Sequence, residues 1–223
     1  MRVVSLKNAG PLLDDKTRQW IRVLMEALKL KDPYTFFHSV RVSEYALMMG
    51  RNLNVSSTEM VSLELGALLH DLGKIGVPDH ILKKEGALTE QEFEWMKKHP
   101  VMSAQVIGHC QWLKDVVPIV KHHHERIDGL GYPEGLKGEA ISPLTRAVFI
   151  VDAFDAMTSD RPYRKALSFE VAYQELERCA GTQFDATLVE IFIHEHQQQK
   201  YKLEKSRFVD FIDDNPALQK KAV

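Results

Sequence analysis

Cysteine is scarce in this chain of 223 residues: only Cys110 and Cys179 occur, and they form no CxxC pair. A disulfide framework is therefore not expected, a reducing compartment fits, and both thiols read as small buried hydrophobes. No apolar run approaches the length of a membrane span, and the N-terminus lacks the apolar core of a signal peptide. Charge of one sign is missing too. Twenty-nine basic against 31 acidic residues leave a net charge of −2, which gives no field for a nucleic-acid polymer or an acidic lipid surface. The expectation is a soluble, cytoplasmic protein without a membrane or nucleic-acid partner. Strand signals are weak, because no long alternating segment is bounded by turns, and there are no repeats or low-complexity linkers. What is present is 44% hydrophobic residues, enough for a real core.

Helical periodicity dominates. Trp20, Val23, Leu24, Ala27 and Leu28 recur at helix spacing after a cap at Asp14 or Asp15. A second helix is expected from about Thr35 to Leu53. A third starts near Ser56-Ser57 with Glu59 early in it, runs through Val61, Leu65, Leu68 and Leu69 to His70, and is ended by Gly73, Gly76 and Pro78. Thr89 with Gln91, Glu92 and Glu94 opens another helix with its charges at the favourable end. Further helices are expected near 101–111, 114–127, 143–158, 168–179 and 184–197, with a Gly/Pro-rich loop over 128–142. The expected organisation is a short N-terminal segment or linker remnant (1–13), one all-α domain (14–199), and a polar C-terminal tail or terminal helix (200–223).

Six of the ten histidines fall near carboxylates or stand where a distant ligand is useful. His70-Asp71 opens the run His-Asp-Leu-Gly-Lys-Ile. His122-His123-His124-Glu125 precedes Asp128-Gly129-Leu130-Gly131-Tyr132-Pro133. Imidazole and carboxylate together suit first-row metals, which activate water at neutral pH. Read as neighbours on a helix, His70 and Asp71 face one broad pocket, with Lys74 over the same face. Asp71 could bridge two metals. Geometry leaves open whether His122 or His124 partners His123. Asp152 interrupts the apolar stretch Ala147-Val148-Phe149-Ile150-Val151, so its charge needs a partner. His38 and His99, taken alone, read as ordinary residues, as do His80, His109, His194 and His196.

Taken together and in order, these pieces resemble the HD-GYP family, a branch of the HD-domain metallohydrolases. The likeness runs from about Asp32 to Val189. It includes Asp32-Pro33-Tyr34-Thr35, His38-Ser39-Val40-Arg41-Val42, His70 to Ile75, His99-Pro100, His123 to Pro133, Asp152 to Ala156, Ser159 to Lys165 and Gly181 to Asp185. The resemblance implies an all-α HD-domain helical bundle with an HD-GYP extension. It implies a phosphodiesterase that hydrolyses cyclic di-GMP to pGpG, and in some members on to GMP, through a hydroxide activated by two metals. It selects His123 and His124 over His122. One metal would be held by His38, His70, Asp71 and Asp152, the second by Asp71, His99, His123 and His124. Some members carry a glutamate where Tyr34 stands here and hold three metals; the phenol implies two, with iron the first choice and manganese the second.

Lys74, by its charge and its spacing from His70, reads as a phosphate contact, and the resemblance implies that Arg161, Arg164 and Lys165 contact phosphate or guanine. Arginine suits bidentate phosphate binding. Gly129, Gly131, Tyr132 and Pro133 form the loop of the family name, read as loop structure and partner contact. Glu125, Asp128 and Asp155 read as organisers of hydrogen bonds around ligands and loop. Cyclic di-GMP synthases are the partner proteins known in the family. Three other readings share the same residues: a phosphodiesterase for another cyclic dinucleotide such as cyclic GMP-AMP, a different HD-type phosphohydrolase, and a cyclic di-GMP sensor of low turnover. The Gly-x-Gly-Tyr-Pro loop and the Arg161 segment count against the phosphohydrolase.

Overall fold

A computed structural model of the chain describes residues 15–160 and 165–198. The segments 1–13 and 200–223 singled out in the sequence lie outside the described residues.

Local signals start most of the helices. Helix α1 spans Asp15–Lys31 and α2 Pro33–Gly50. The Asp32 carboxylate caps α2 by accepting from the Thr35 amide, with proline at the first helical position. Helix α3, Ser57–Leu69, begins with a capping box between Ser56 and Glu59. A 3-10 turn over Leu72–Gly76 and the short α4, Asp79–Leu82, follow. Helix α5, Glu90–Met96, has a second capping box, Thr89 with Glu92. Then come α6 (His99–Gly108), α7 (Val117–His122), α8 (Pro143–Thr158), α9 (Phe169–Arg178) and α10 (Ala186–Gln198). Among the described residues the sole β feature is an isolated bridge between Ala180 and Phe184, so the all-α expectation holds. No described helix is long and apolar enough to cross a membrane.

Two apolar clusters flank α2 and α3. Val42, Ala46 and Met49 of α2 and Leu63 and Ala67 of α3 pack with α8, α9 and α10 through Val148, Val151, Phe154, Leu176 and Phe192. The other faces of α2 and α3, with Phe36, Leu65 and Leu68, pack against Ile21, Met25 and Leu28 of α1 and Ile107 of α6. Both central helices are thus apolar on two sides, as a helix enclosed on two sides must be. Helix α1 exists where periodicity places it, but Trp20 and Val23 are exposed and Ile21, Met25 and Leu28 form its buried stripe.

Two boundaries differ from expectation in ways that matter. The third helix stops at Leu69, so His70 and Asp71 lie in the turn after it and Lys74 in the 3-10 segment. The helix expected over 114–127 is confined to Val117–His122, with Pro118 near its start. His123 and His124 therefore leave a helix end instead of lying along a helix.

Candidate metal centre

The ends of α3, α5 and α7 each turn a histidine inward. A helix C-terminus leaves its last carbonyls without amide partners. The His70 ring accepts that role at the end of α3, donating Nδ1–H to the Ala67 carbonyl at 2.6 Å. His123 does the same at the end of α7, to Val120 O at 2.7 Å. His99, at the start of α6, donates to Met96 O of α5 at 2.7 Å. Carbonyl oxygen can only accept, so all three rings carry a proton on Nδ1, and in the neutral form, the one that ligates metal, Nε2 is the lone pair.

Those lone pairs converge with two carboxylates. His99 Nε2 lies 3.1 Å from Asp71 Oδ1, and His70 Nε2 lies 3.4 Å from Asp71 Oδ2. His38, on α2, places Nε2 3.0 Å from Asp152 Oδ1 on α8 and 3.8 Å from Asp71 Oδ2. Three overlapping groups could each hold a metal ion: His38, His70 and Asp152; His70, Asp71 and His123; and His99, His123 and His124. Asp71 stands among all of these side chains. His122 turns away and pairs with Glu134 at 2.9 Å, whereas the His124 ring lies 5.1 Å from that of His99.

The donor set fits divalent cations. His70 Nε2 and Asp71 Oδ1 are buried without a hydrogen-bond partner in the protein, an arrangement that costs about 1–3 kcal/mol per group unless something binds there. His99 Nε2 and His123 Nε2 face each other at 3.3 Å. In neutral rings whose Nδ1 protons go to carbonyls, neither Nε2 has a proton to share across this gap. It is a spacing that two imidazole nitrogens adopt about 2.1 Å from one ion. Proton affinities point the same way for His124, His123 and Asp71, whereas at His38 the burial that would lower it is outweighed by the hydrogen bonds to Asp152 and Asp155, which raise it to about 9. Burial, with the His99 charge beside it, lowers His124 to about 3, and burial with the neighbouring His124 holds His123 well below its ordinary value. Burial works against an ionised Asp71, but Lys74 together with the adjoining His70 and His99 outweighs it and holds the carboxyl well below the usual range. Neutral imidazoles and ionised carboxylates are the forms that ligate metal.

The cluster lies in the wall of a cleft of about 640 Å3, a volume suited to a small ligand. His38, Asp71, His99, His124 and Asp152 reach this surface, with Lys74, Tyr34 and Tyr132 beside them. Lys74 Nζ is 2.6 Å from Asp71 Oδ2. Tyr34 lies nearly parallel to the His38 ring at 6.3 Å. Tyr132, in the loop read from the sequence, lines this cleft, its ring 4.8 Å from that of His124. The close return of the chain at Gly131 explains the placement. A Cβ there would lie 2.5 Å from backbone atoms of His124, Glu125 and Arg126, so only glycine brings Tyr132 over His124. Gly129 has a φ of +83° and Tyr132-Pro133 is a cis peptide.

Three further carboxylates, Glu125, Asp128 and Asp155, make hydrogen bonds near the cluster and its loop. Buried Glu125 accepts from the amides of Glu134 at 2.7 Å and Leu136 at 3.0 Å, tying down the loop. Asp128 pairs with Arg126 at 2.6 Å and accepts from Leu130 N. Asp155 accepts from His38 Nδ1 at 2.7 Å and from Arg41. Lys165 is exposed and is not part of the cleft wall, so the structure does not bring it to the site. Arg161 and Arg164 lie outside the described residues. Sequence reasoning gave no role to Arg41, nor to Ser103, whose hydroxyl accepts from Gly73 N at 2.6 Å and donates to His70 O at 2.8 Å.

Comparison with known proteins agrees with this geometry. The HD domain model matches residues 22–188. A cyclic di-GMP phosphodiesterase of Pseudomonas aeruginosa is 37% identical over 86% of this chain and 48% of its own. A 3'3'-cGAMP-specific phosphodiesterase of Vibrio cholerae is 38% identical over 82% of this chain and 41% of its own. The chain thus spans about half the length of these curated relatives. Among solved structures, a cyclic GMP-AMP specific phosphodiesterase of Vibrio cholerae superposes with a TM-score of 0.62 at 20% identity, over 91% of this chain and 52% of that one. An HDGYP protein of Bdellovibrio bacteriovorus gives 0.60 at 20% identity, over 81% of this chain and 61% of that one. The chain belongs to the HD-domain family, as a relative of its HD-GYP members.

Proposed function

We propose that this chain is a metal-dependent cyclic dinucleotide phosphodiesterase, with cyclic di-GMP as substrate and pGpG, then GMP, as products. The observation that carries the reading is the set of inward Nε2 lone pairs meeting Asp71 and Asp152 at the wall of a cleft. His38, His70, Asp71 and Asp152 would hold one divalent ion, and Asp71, His99, His123 and His124 the other. Bound cations supply Lewis acidity and activate water for attack on phosphorus. Iron is the first choice and manganese the second, on ligand type. Tyr34, stacked beside His38 where a further carboxylate would be needed, supports two ions over three.

The chain's own residues have separable tasks. Asp71 stands between the two ligand groups and joins them. Lys74 holds positive charge at the cleft beside Asp71 and would draw in a phosphate oxygen. Tyr132 lies over the His124 ring in the cleft wall and would hold it in place. Arg161 and Arg164 are proposed to meet the second phosphate or a base.

A second reading has specific support: the cGAMP-specific relative is as similar to this chain as the cyclic di-GMP one. Anaerobic assays of iron-loaded protein with cyclic di-GMP and 3'3'-cGAMP in parallel, with metal counted on the same sample, decide between them. Turnover of cyclic di-GMP with about two metals per chain is expected. Exclusive turnover of cGAMP would transfer the reading to that substrate. No turnover of either by fully loaded protein would refute the enzyme and favour a sensor.

A further inference from the structure

His38 is backed differently from His70, His99 and His123. His70, His99 and His123 give Nδ1–H to neutral backbone carbonyls. His38 gives its Nδ1 to a carboxylate, Asp155 Oδ2, at 2.7 Å. That carboxylate is buried and is itself gripped at both oxygens. Arg41 Nε bonds Oδ1 at 2.7 Å and Arg41 Nη2 bonds Oδ2 at 3.0 Å. Arg41 sits one helical turn beyond His38 on α2, and Asp155 one turn beyond Asp152 on α8. The same two helices therefore carry the ligands and the relay behind them.

A carboxylate behind an imidazole raises its basicity as a ligand and fixes its ring more firmly than a carbonyl does. The planar guanidinium fork fixes the carboxylate in turn. The His38 half also has Asp152 and Asp71 as direct donors, whereas the other half relies on three imidazoles and Asp71. We infer that Arg41, acting through Asp155, is a positioning residue that makes the His38 half the more tightly held of the two metal positions. The inference rests on the two-metal reading above.

Chelator competition on manganese-loaded full-length protein, with metal counted at each step, tests it. Wild-type protein releases its two ions in two steps. Arg41→Ala weakens the tighter step by about ten- to a hundredfold, the cost of losing an outer partner of a metal ligand, and leaves the looser step unchanged. Asp155→Asn, nearly the same size and shape, does the same, and Arg41→Lys falls between. Histidine-labelled NMR of the zinc-loaded form reads the relay directly. The His38 Nδ1–H signal is lost in Arg41→Ala while those of His70, His99 and His123 persist. Circular dichroism of the metal-free proteins shows whether each variant folds, and Arg41→Lys and Asp155→Asn carry the test if Arg41→Ala does not. One-step release from wild-type protein overturns the inference, as do two steps that shift together or not at all in these variants. Wild-type protein that binds no metal refutes the two-metal reading itself, and the first titration separates that failure from the others.

Discussion

Gly73→Ala is the sharpest test of how the cluster is held. Gly73 lies in the 3-10 turn after His70 and Asp71, and its φ is not in the left-handed region, so the glycine is required for space and not for conformation. A Cβ built there would lie 2.1 Å from His99 O, 2.6 Å from Ser103 N and 2.8 Å from Met102 Cβ. Two of these are backbone atoms of α6 and cannot swing aside. Restoring an ordinary contact of about 3.4 Å takes about 1.3 Å of separation between the His70–Lys74 turn and α6. That movement pulls His99 from Asp71 and breaks the Gly73 N–H to Ser103 Oγ bond. Overpacking costs about 1–3 kcal/mol and the hydrogen bond about 1 kcal/mol. At roughly 2–4 °C per kcal/mol for a domain of this size, the melting temperature of the metal-free protein should fall by about 4–16 °C.

Metal counting should show the ion at His99, His123 and His124 lost first. Gly76→Ala is the control. Its Cβ would meet only the flexible end of Met102, at 3.0 Å from Sδ, so its melting temperature should change by less than about 3 °C. A Gly73→Ala protein that melts within about 2 °C of wild type and keeps two metals would refute the account of α6 pressed against this turn.

Asp71→Ala should lose both metals and all hydrolysis, measured by elemental analysis and product chromatography; full activity after metal removal would end the two-metal proposal. Lys74→Ala should keep its metals and lose about a hundredfold in kcat, and unchanged turnover would remove Lys74 from the chemistry. Glu125→Ala leaves the amides of Glu134 and Leu136 without their buried acceptor, at a cost of about 3 kcal/mol; hydrogen exchange should rise over 129–137 before it rises in α8. In the metal-free protein, burial opposes the charge of His38 but the hydrogen bonds to Asp152 and Asp155 outweigh it and raise the ring to about 9. Because the folded value exceeds the ordinary 6.5, this protonation stabilises the fold fully below about pH 6.5 and the contribution is lost as pH rises through about 9. Metal on Nε2 displaces that proton, so melts of loaded protein should lack this slope, and parallel slopes in the two forms would contradict the assignment of His38 as a ligand.

Much of the scaffold was legible because local chemistry decides it. Ser56 with Glu59 and Thr89 with Glu92 are capping boxes in sequence and in structure. The apolar run from Leu144 to Met157 falls within a helix with the expected limits. What sequence misjudged was decided by tertiary contacts. Lys114 and Asp115 looked helical, yet α7 starts only at Val117 and ends at His122. There the chain folds back so that Glu125 can receive two loop amides. In α1 the period was readable but the phase was not, because apolar residues occupy more than one stripe and only packing selects Ile21, Met25 and Leu28. Gly73 read as a helix breaker; its closeness to His99 O, 26 residues away, leaves no local mark. Arg41 and Ser103 were missed for the same reason, although the shared spacing of His38 to Arg41 and Asp152 to Asp155 was a signal that could have found Arg41.

The misplaced helix ends also account for why the histidines stand where they do. Had His70 and His123 lain inside helices, their neighbouring carbonyls would already be bonded to amides four residues on. The rings would then need other partners to fix their tautomers. At a helix end the free carbonyl and the ring solve each other's problem. The carbonyl gains a donor, the proton is pinned on Nδ1, and Nε2 is aimed inward as a lone pair. His99 uses the end of α5 in the same way from the start of α6. Each such end costs the fold little, since the carbonyl needed a partner in any case. His38 lies mid-helix on α2, where no carbonyl is free, and its Nδ1 is served by Asp155 from another helix, with Arg41 behind it. The one ligand of these four that could not borrow a helix end is thus the one that required a charged relay.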